Sequence, residues 1–225
     1  MIFQNGWFPV GVVMAAWPVL LVIFALCAKQ AWVSVSQHRS AFLVAAVMLP
    51  LAWSLNASPE SGQLAGMSYH LLALNLTALM LGTFAAFCVG VLLFFPYLWL
   101  WGDWHMFPIN ALSVLLPPLL VNLGFRHWVS RLPANIFIFI FLNGFWAAAI
   151  GMVFTGVILV GLLDWADVFD TTVLWKTAFP VFFLIAWAEA FLSGISTAIF
   201  IALKPQWICT FDDGRYLKSA PKIWQ

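Results

Sequence analysis

Residues 69–101 read YHLLALNLTALMLGTFAAFCVGVLLFFPYLWLW, from Tyr69 to Trp101, with no Asp, Glu, Lys or Arg among them. A helix needs about 20 apolar residues to cross a hydrocarbon core of about 30 Å, and at about 1.5 Å per residue this run would be roughly 50 Å long. That is too long for one ordinary span. Gly82-Thr83 divides it into two shorter helices.

Around this run lie other apolar stretches. Trp7–Cys27 ends at Lys29, and Ser40–Leu55 is bounded by Arg39 and the polar loop Asn56–Glu60. Asn110–Phe125 ends at Arg126, Asn135–Leu163 at Asp164, and Leu174–Leu203 at Lys204-Pro205. Dividing the long run gives seven spans, and leaving it whole gives six. Charge arbitrates, because cytoplasmic loops are enriched in Lys and Arg. With seven spans, Lys29, Arg39, Arg126, Arg131, Lys204, Arg215, Lys218 and Lys222 share one side and Lys176 alone takes the other, 8 against 1; six spans give 6 against 3 at best. The expected fold is therefore all-α: a polytopic, seven-transmembrane-helix bundle with its N-terminus outside and its C-terminus cytoplasmic. Helices are expected at about 7–28, 40–55, 69–81, 84–101, 109–125, 135–163 and 174–203, in one domain over 1–205, with a short cytoplasmic tail over 206–225. Trp7, Trp101, Trp104, Trp165 and Trp175 then flank the outer ends, as interfacial aromatics do.

Composition agrees. The chain is 64% hydrophobic and 8% charged, whereas a soluble domain carries about 25% charged residues. Its surface must face a lipid bilayer, and multi-pass membrane insertion is expected. A net charge of +1 implies no nucleic-acid partner. Cys27, Cys88 and Cys209 form no CxxC pair and read as small apolar thiols. No basic stretch precedes Trp7 and no small-residue cleavage pattern follows, so the first apolar run reads as a retained helix.

Polar side chains inside spans are costly and need a reason. Glu189, within Ile185–Phe191, reads either as a structural carboxylate bonded to a neighbouring helix or as a group behind an ion site. It lies fifteen residues beyond Leu174, roughly 22 Å along a helix, so it is expected to support the site rather than bind an ion at the outer ends. Asn75, Asn122 and Asn143 are expected to hydrogen-bond between helices. His38 and His127, beside Arg39 and Arg126, read as solvated interface residues. His70 and His105 fall at outer ends, joined by the divided hairpin, with Asp103, Met67 and Met106 nearby. Imidazole and carboxylate suit Ni, Co, Zn or Cu(II), and thioethers Cu(I). A shared metal site of His70, His105 and Asp103 is expected, against the plain alternative of interfacial histidines meeting water. No HExxH, GxSxG, P-loop or dinucleotide fingerprint is present, so no enzyme is expected.

At these residues the chain resembles the membrane permease subunit of energy-coupling factor (ECF) transporters for cobalt and nickel, the CbiM/NikM type. Met1-Ile2-Phe3-Gln4-Asn5-Gly6-Trp7 is similar to the family opening Met-His-Ile-Pro-Asp-Gly-Phe. Gly66-Met67-Ser68-Tyr69-His70-Leu71-Leu72 is similar to its Gly-x-Ser-Gly-His-Leu-Leu segment, and Leu81-Gly82 to the Leu-Gly after it. Gly102-Asp103 and Asn110 resemble its Gly-Asp-Gly-Gly loop and following Asn, and Glu189-Ala190-Phe191 its Glu-Gly-Leu. The ending Pro205–Asp213 is similar to an uncharacterised branch of the family.

The resemblance implies a permease or substrate-binding subunit for a divalent transition metal, working with a transmembrane coupling protein and ATPases. It implies metal ligation by the Met1 amine and His70, with Asn110 supporting them. Ile2 stands where the family has a ligating His, and Trp104-His105 stand within the Gly-Asp-Gly-Gly motif, so a ligand is lost at one end while His105 offers another. Ile2 also leaves open a different class, a structural or assembly subunit that does not transport. Met67 and Met106 leave open a copper-handling protein.

Overall fold

The computed structural model describes residues 2–58, 61–63 and 66–216. It is a helical bundle. We number its helices α1 Val10–Gln37, α2 Arg39–Ser54, α3 Leu74–Leu81, α4 Thr83–Trp101, α5 Phe107–Val129, α6 Ile136–Trp165 and α7 Thr171–Leu203, followed by a short α8, Asp213–Tyr216. Five helical segments, containing α1, α4, α5, α6 and α7, are long and apolar enough to cross a membrane, and α2 is a shorter apolar helix. α5 packs between α6 and α4, α7 against α6, and α1 against α4 and α5.

The run 69–101 is indeed divided at Gly82. There φ is +83°, a conformation that side chains with a Cβ rarely adopt, so α3 stops and α4 starts one residue later. The N-terminal half of this run differs from the expectation of a helix from residue 69. Tyr69–His70 instead pairs as a short antiparallel strand with Asn56–Ala57, and Ala73 is left-handed at φ +54°. Only eight residues remain for α3, and all eight are buried.

A buried helix this short must find partners for its end groups among other elements. At the N-terminal end, the Glu189 carboxylate of α7 accepts from the backbone N–H of Leu72 and of Ala73, the latter at 3.0 Å. At the C-terminal end, Gly82 N–H donates to Ala78 O, Thr210 N–H and Oγ1 to Leu79 O, Cys209 N–H to Met80 O, and Ser34 Oγ to Leu81 O. All four last carbonyls are satisfied.

Two other expectations need correction. Lys29 does not end α1, which continues to Gln37, because polarity marks the edge of an apolar span and nothing between 29 and 37 breaks a helix. The segment after Pro205 is not merely a tail: Ile208 and Phe211 are buried, and residues 209–210 close the end of α3.

α6 and α7 carry π-helical stretches, Phe139–Trp146 and Leu174–Ala178. In the first, the carbonyls of Asn143 and Gly144 accept from Asn75 Nδ2 at 2.9 and 3.2 Å. Asn122 Nδ2 donates to Asn75 Oδ1 at 2.8 Å, and Thr83 Oγ1 donates to Asn122 Oδ1. Asn75 and Asn122 thus make the expected interhelical bonds. The side chain of Asn143 does not, and its Oδ1 is buried without a partner among the described residues.

Candidate metal centre

Residues 2–8 enter the bundle rather than lying on it. Phe3 is fully buried, and its backbone is held on both sides by one side chain: its N–H donates to Asn110 Oδ1 at 2.7 Å, and Asn110 Nδ2 donates to its carbonyl at 3.1 Å. Gln4 Nε2 donates to Gly66 O at 2.7 Å, tying this stretch to the segment that leads into His70. Gly66 has φ +85°, a left-handed conformation that favours glycine, and it sits in contact range of the Gln4 amide and the Trp7 ring. Ile2, Gln4, Ser68 and Asp103 are among the residues around a cavity of about 450 Å³ at this end of the bundle.

His70 is buried, its ring edge-on to Tyr97 at 6.3 Å between centroids. Its Nδ1 donates to Leu71 O at 3.0 Å. With the proton on Nδ1, a neutral imidazole carries its lone pair on Nε2. That Nε2 is buried and has no hydrogen-bond partner among the described residues. One ring nitrogen fixed by a carbonyl and the other left as a free lone pair is the arrangement that orients a metal-ligating imidazole.

The backbone beneath the ring is fixed by distant side chains. Trp53 Nε1 donates to Leu72 O at 3.1 Å, Tyr97 Oη donates to Trp53 O at 2.8 Å, and Glu189 holds the Leu72 and Ala73 N–H groups. Glu189 is therefore not remote from His70, as its position along α7 suggested. Residues 69–73 turn inward as a non-helical segment, and the backbone meets the carboxylate two residues from the imidazole.

His105 and Asp103 stand elsewhere in the site. Asp103 Oδ1 accepts the His105 backbone N–H at 2.9 Å, capping the turn Trp104–Met106, and the exposed His105 ring lies 4.0 Å from that of Trp104. Asp103 borders the N-terminal cavity, while His70 lines a different groove with Asn56 and α7 residues; His105 lines neither. Among the described residues no three His, Cys, Asp or Glu side chains form a metal-holding group. The expected trio of His70, His105 and Asp103 is thus not assembled. The carboxylate is engaged in a local cap and the His105 ring faces out, whereas the His70 segment runs inward. Met1 lies outside the described residues. Met67 is buried, with its Sδ 3.5 Å from Tyr69 Oη.

Sequence reasoning did not anticipate Gln4, Trp53 or Tyr97. Each acts on backbone far away in the chain, and no local pattern signals such a partner.

Two solved structures share the fold. One, a truncated transition metal transporter, superposes with a TM-score of 0.75 at 14% identity, over 91% of this chain and 99% of the other. A second, a transition metal transporter, gives 0.76 at 14% identity, over 90% and 93%. Among curated proteins none matches by sequence. The family model for CbiM, the cobalt uptake substrate-specific transmembrane region, matches residues 3–207. With nearly the whole chain matched, from the inserted N-terminal stretch to the turn that follows α7, this protein belongs to the CbiM family of cobalt uptake transmembrane proteins.

Proposed function

We propose that this protein is the substrate-specific permease component of a transition-metal uptake system and that His70 Nε2 is a direct ligand of the transported ion. Family membership supports the uptake role. The observation that carries the ligand is the His70 ring itself, buried, anchored through Nδ1 and with Nε2 unpartnered among the described residues. Asn110 supports the site by holding the Phe3 backbone, and Glu189 supports it by holding the backbone after His70. The family resemblance adds the Met1 amine as a second ligand. Cobalt or nickel is the favoured cargo, and the coupling protein and ATPases that energise uptake are separate chains.

In this reading the chain makes seven crossings, the third by the inward non-helical segment 69–73 together with α3, with the N-terminus outside and the tail in the cytoplasm of a bacterium. The 8-to-1 distribution of Lys and Arg supports that orientation. A cysteine at position 104, in a protein whose own cysteines are replaced, should react with a membrane-impermeant reagent on intact cells. Labelling only after lysis would overturn the orientation.

Metal analysis of detergent-purified protein loaded separately with Co, Ni, Zn or Cu tests the function. Retention by the wild type and loss in a folded His70→Gln variant are expected. Ile2, buried where the family has a ligating His, favours a second reading, a structural subunit that does not transport. A wild type that retains none of the four metals would select it.

A further inference from the structure

At the opposite end of the bundle from the Phe3–Asn110 pair lies a cavity of about 360 Å³ between the C-terminal end of α5, the start of α6 and the chain around α8. Its polar lining includes Arg126, Asn143, Thr210 and Arg215. From these side chains we propose that it binds the phosphate headgroup of an anionic glycerophospholipid. The inference does not rest on the metal reading.

Arg126 supplies the first argument. Its one hydrogen bond among the described residues is a 3.3 Å contact to Thr83 Oγ1, and no carboxylate accepts from it. A guanidinium has five N–H donors and matches phosphate oxygens in pairs. Arg215 is fixed beside it, with Nη2 donating to Ser130 O and Leu132 O and the guanidinium 5.3 Å from the centre of the Tyr216 ring. The acidic group on this wall, Asp212, is already engaged: its Oδ1 accepts from the backbone N–H groups of Gly214 and Arg215. His127 is occupied as the acceptor of Arg131 Nη2 at 2.7 Å. The cavity therefore holds two cationic side chains with donors to spare.

Asn143 supplies the second. It is 2% exposed, lines this cavity and makes no side-chain hydrogen bond among the described residues, unlike Asn75 and Asn122 in the same interior. A buried amide without a partner costs about 1–3 kcal/mol. The amide has both a donor and an acceptor and can turn either toward a ligand. A phosphodiester with a hydroxylated headgroup offers both complements.

The flanks identify the source of the phosphate. Beside the cavity α5 exposes Leu120 and Leu123, and α6 exposes Phe137 and Phe141. Trp128 is exposed at the last-but-one position of α5, as an interfacial anchor would be. A phosphate seated on Arg126 has apolar helix surface next to it for acyl chains. A free phosphate ion would leave that surface unused. Basic pockets between spans are a known means of selecting anionic lipid headgroups.

The test uses the full chain in detergent, partly delipidated, with retained lipid counted by native mass spectrometry. Phosphatidylglycerol and phosphatidylcholine of identical acyl chains are compared, and inorganic phosphate is added alone in a third arm. Phosphatidylglycerol should be retained about tenfold more strongly, as expected for two charge-assisted contacts. Arg126→Gln should remove most of that preference. Asn143→Ala, which breaks no side-chain hydrogen bond among the described residues, should reduce it about threefold; it carries the test if Arg126→Gln fails to fold. Lys176→Gln, at the other end of α7, should leave it unchanged. Equal retention of the two lipids would overturn the proposal. So would unchanged preference in Asn143→Ala, an equal loss in Lys176→Gln, or displacement of phosphatidylglycerol by low concentrations of inorganic phosphate.

Discussion

α1 and α3 are both apolar helices, yet they are built for opposite surroundings. α1 has 28 residues, of which five are buried; α3 has eight, all buried. α1 bonds its own backbone over most of its length and presents side chains such as Leu26, 75% exposed, to lipid. α3 cannot do so, because eight residues leave most of its peptide groups at one end or the other. Its C-terminal end is completed by Ser34, Cys209 and Thr210, and Glu189 holds the backbone that leads into its N-terminal end. Apolar sequence therefore sets membrane residence, while the polar residues of other elements decide which helix is central.

The strongest challenge to this contrast is Glu189→Leu. It removes the acceptor of two buried N–H groups and should cost about 4 kcal/mol, read as loss of folded protein on size-exclusion chromatography or a large fall in Tm. Glu189→Gln keeps one acceptor oxygen and should fold with unchanged metal stoichiometry; loss of bound metal from that folded variant would make Glu189 more than a support. Leu76→Ala comes next. Leu76 is fully buried, and the cavity left behind should cost about 3 kcal/mol in a denaturant titration. Asn110→Leu should then cost about 2 kcal/mol and weaken metal binding about tenfold, because the Phe3 backbone loses its hold; calorimetric metal titration reads the second effect. Leu26→Ala is the counterpart of Leu76→Ala and should change stability by less than about 0.5 kcal/mol, since lipid replaces the lost contacts. Equal effects at Leu26 and Leu76 would break the comparison.

Much of the helical architecture was legible because its signals are local. Gly82 interrupts a run too long for one helix, and it does so through a backbone conformation suited to glycine. Asn75 and Asn122, polar in an apolar context, announced interhelical bonds and make them. The inward turn of residues 69–73 was not legible. Hydropathy reads Tyr69–Ala73 as helix, whereas pairing with Asn56–Ala57 and bonds from Trp53 and Glu189 hold a non-helical backbone there. The same blindness misplaced Glu189: counting along α7 gives its depth but not which loop descends to meet it. Asp103 and His105 looked paired with His70 because their loops were assigned to one face. A shared face does not align side chains, and the one carboxylate, Asp103, serves its own turn.

The separation in sequence between α3 and its caps bears on how the protein is made. Leu72 meets Glu189 across 117 positions, and Leu79 meets Thr210 across 131. A nascent chain that has emerged only through α4 holds residues 69–81 without either closure. Peptide groups at both ends of that segment then face lipid or water, and contacts this distant are slow to form because a long loop must close first. α3 is accordingly the keystone of biogenesis: early in the order of synthesis, it settles only after the ribosome has delivered the C-terminal residues that finish it.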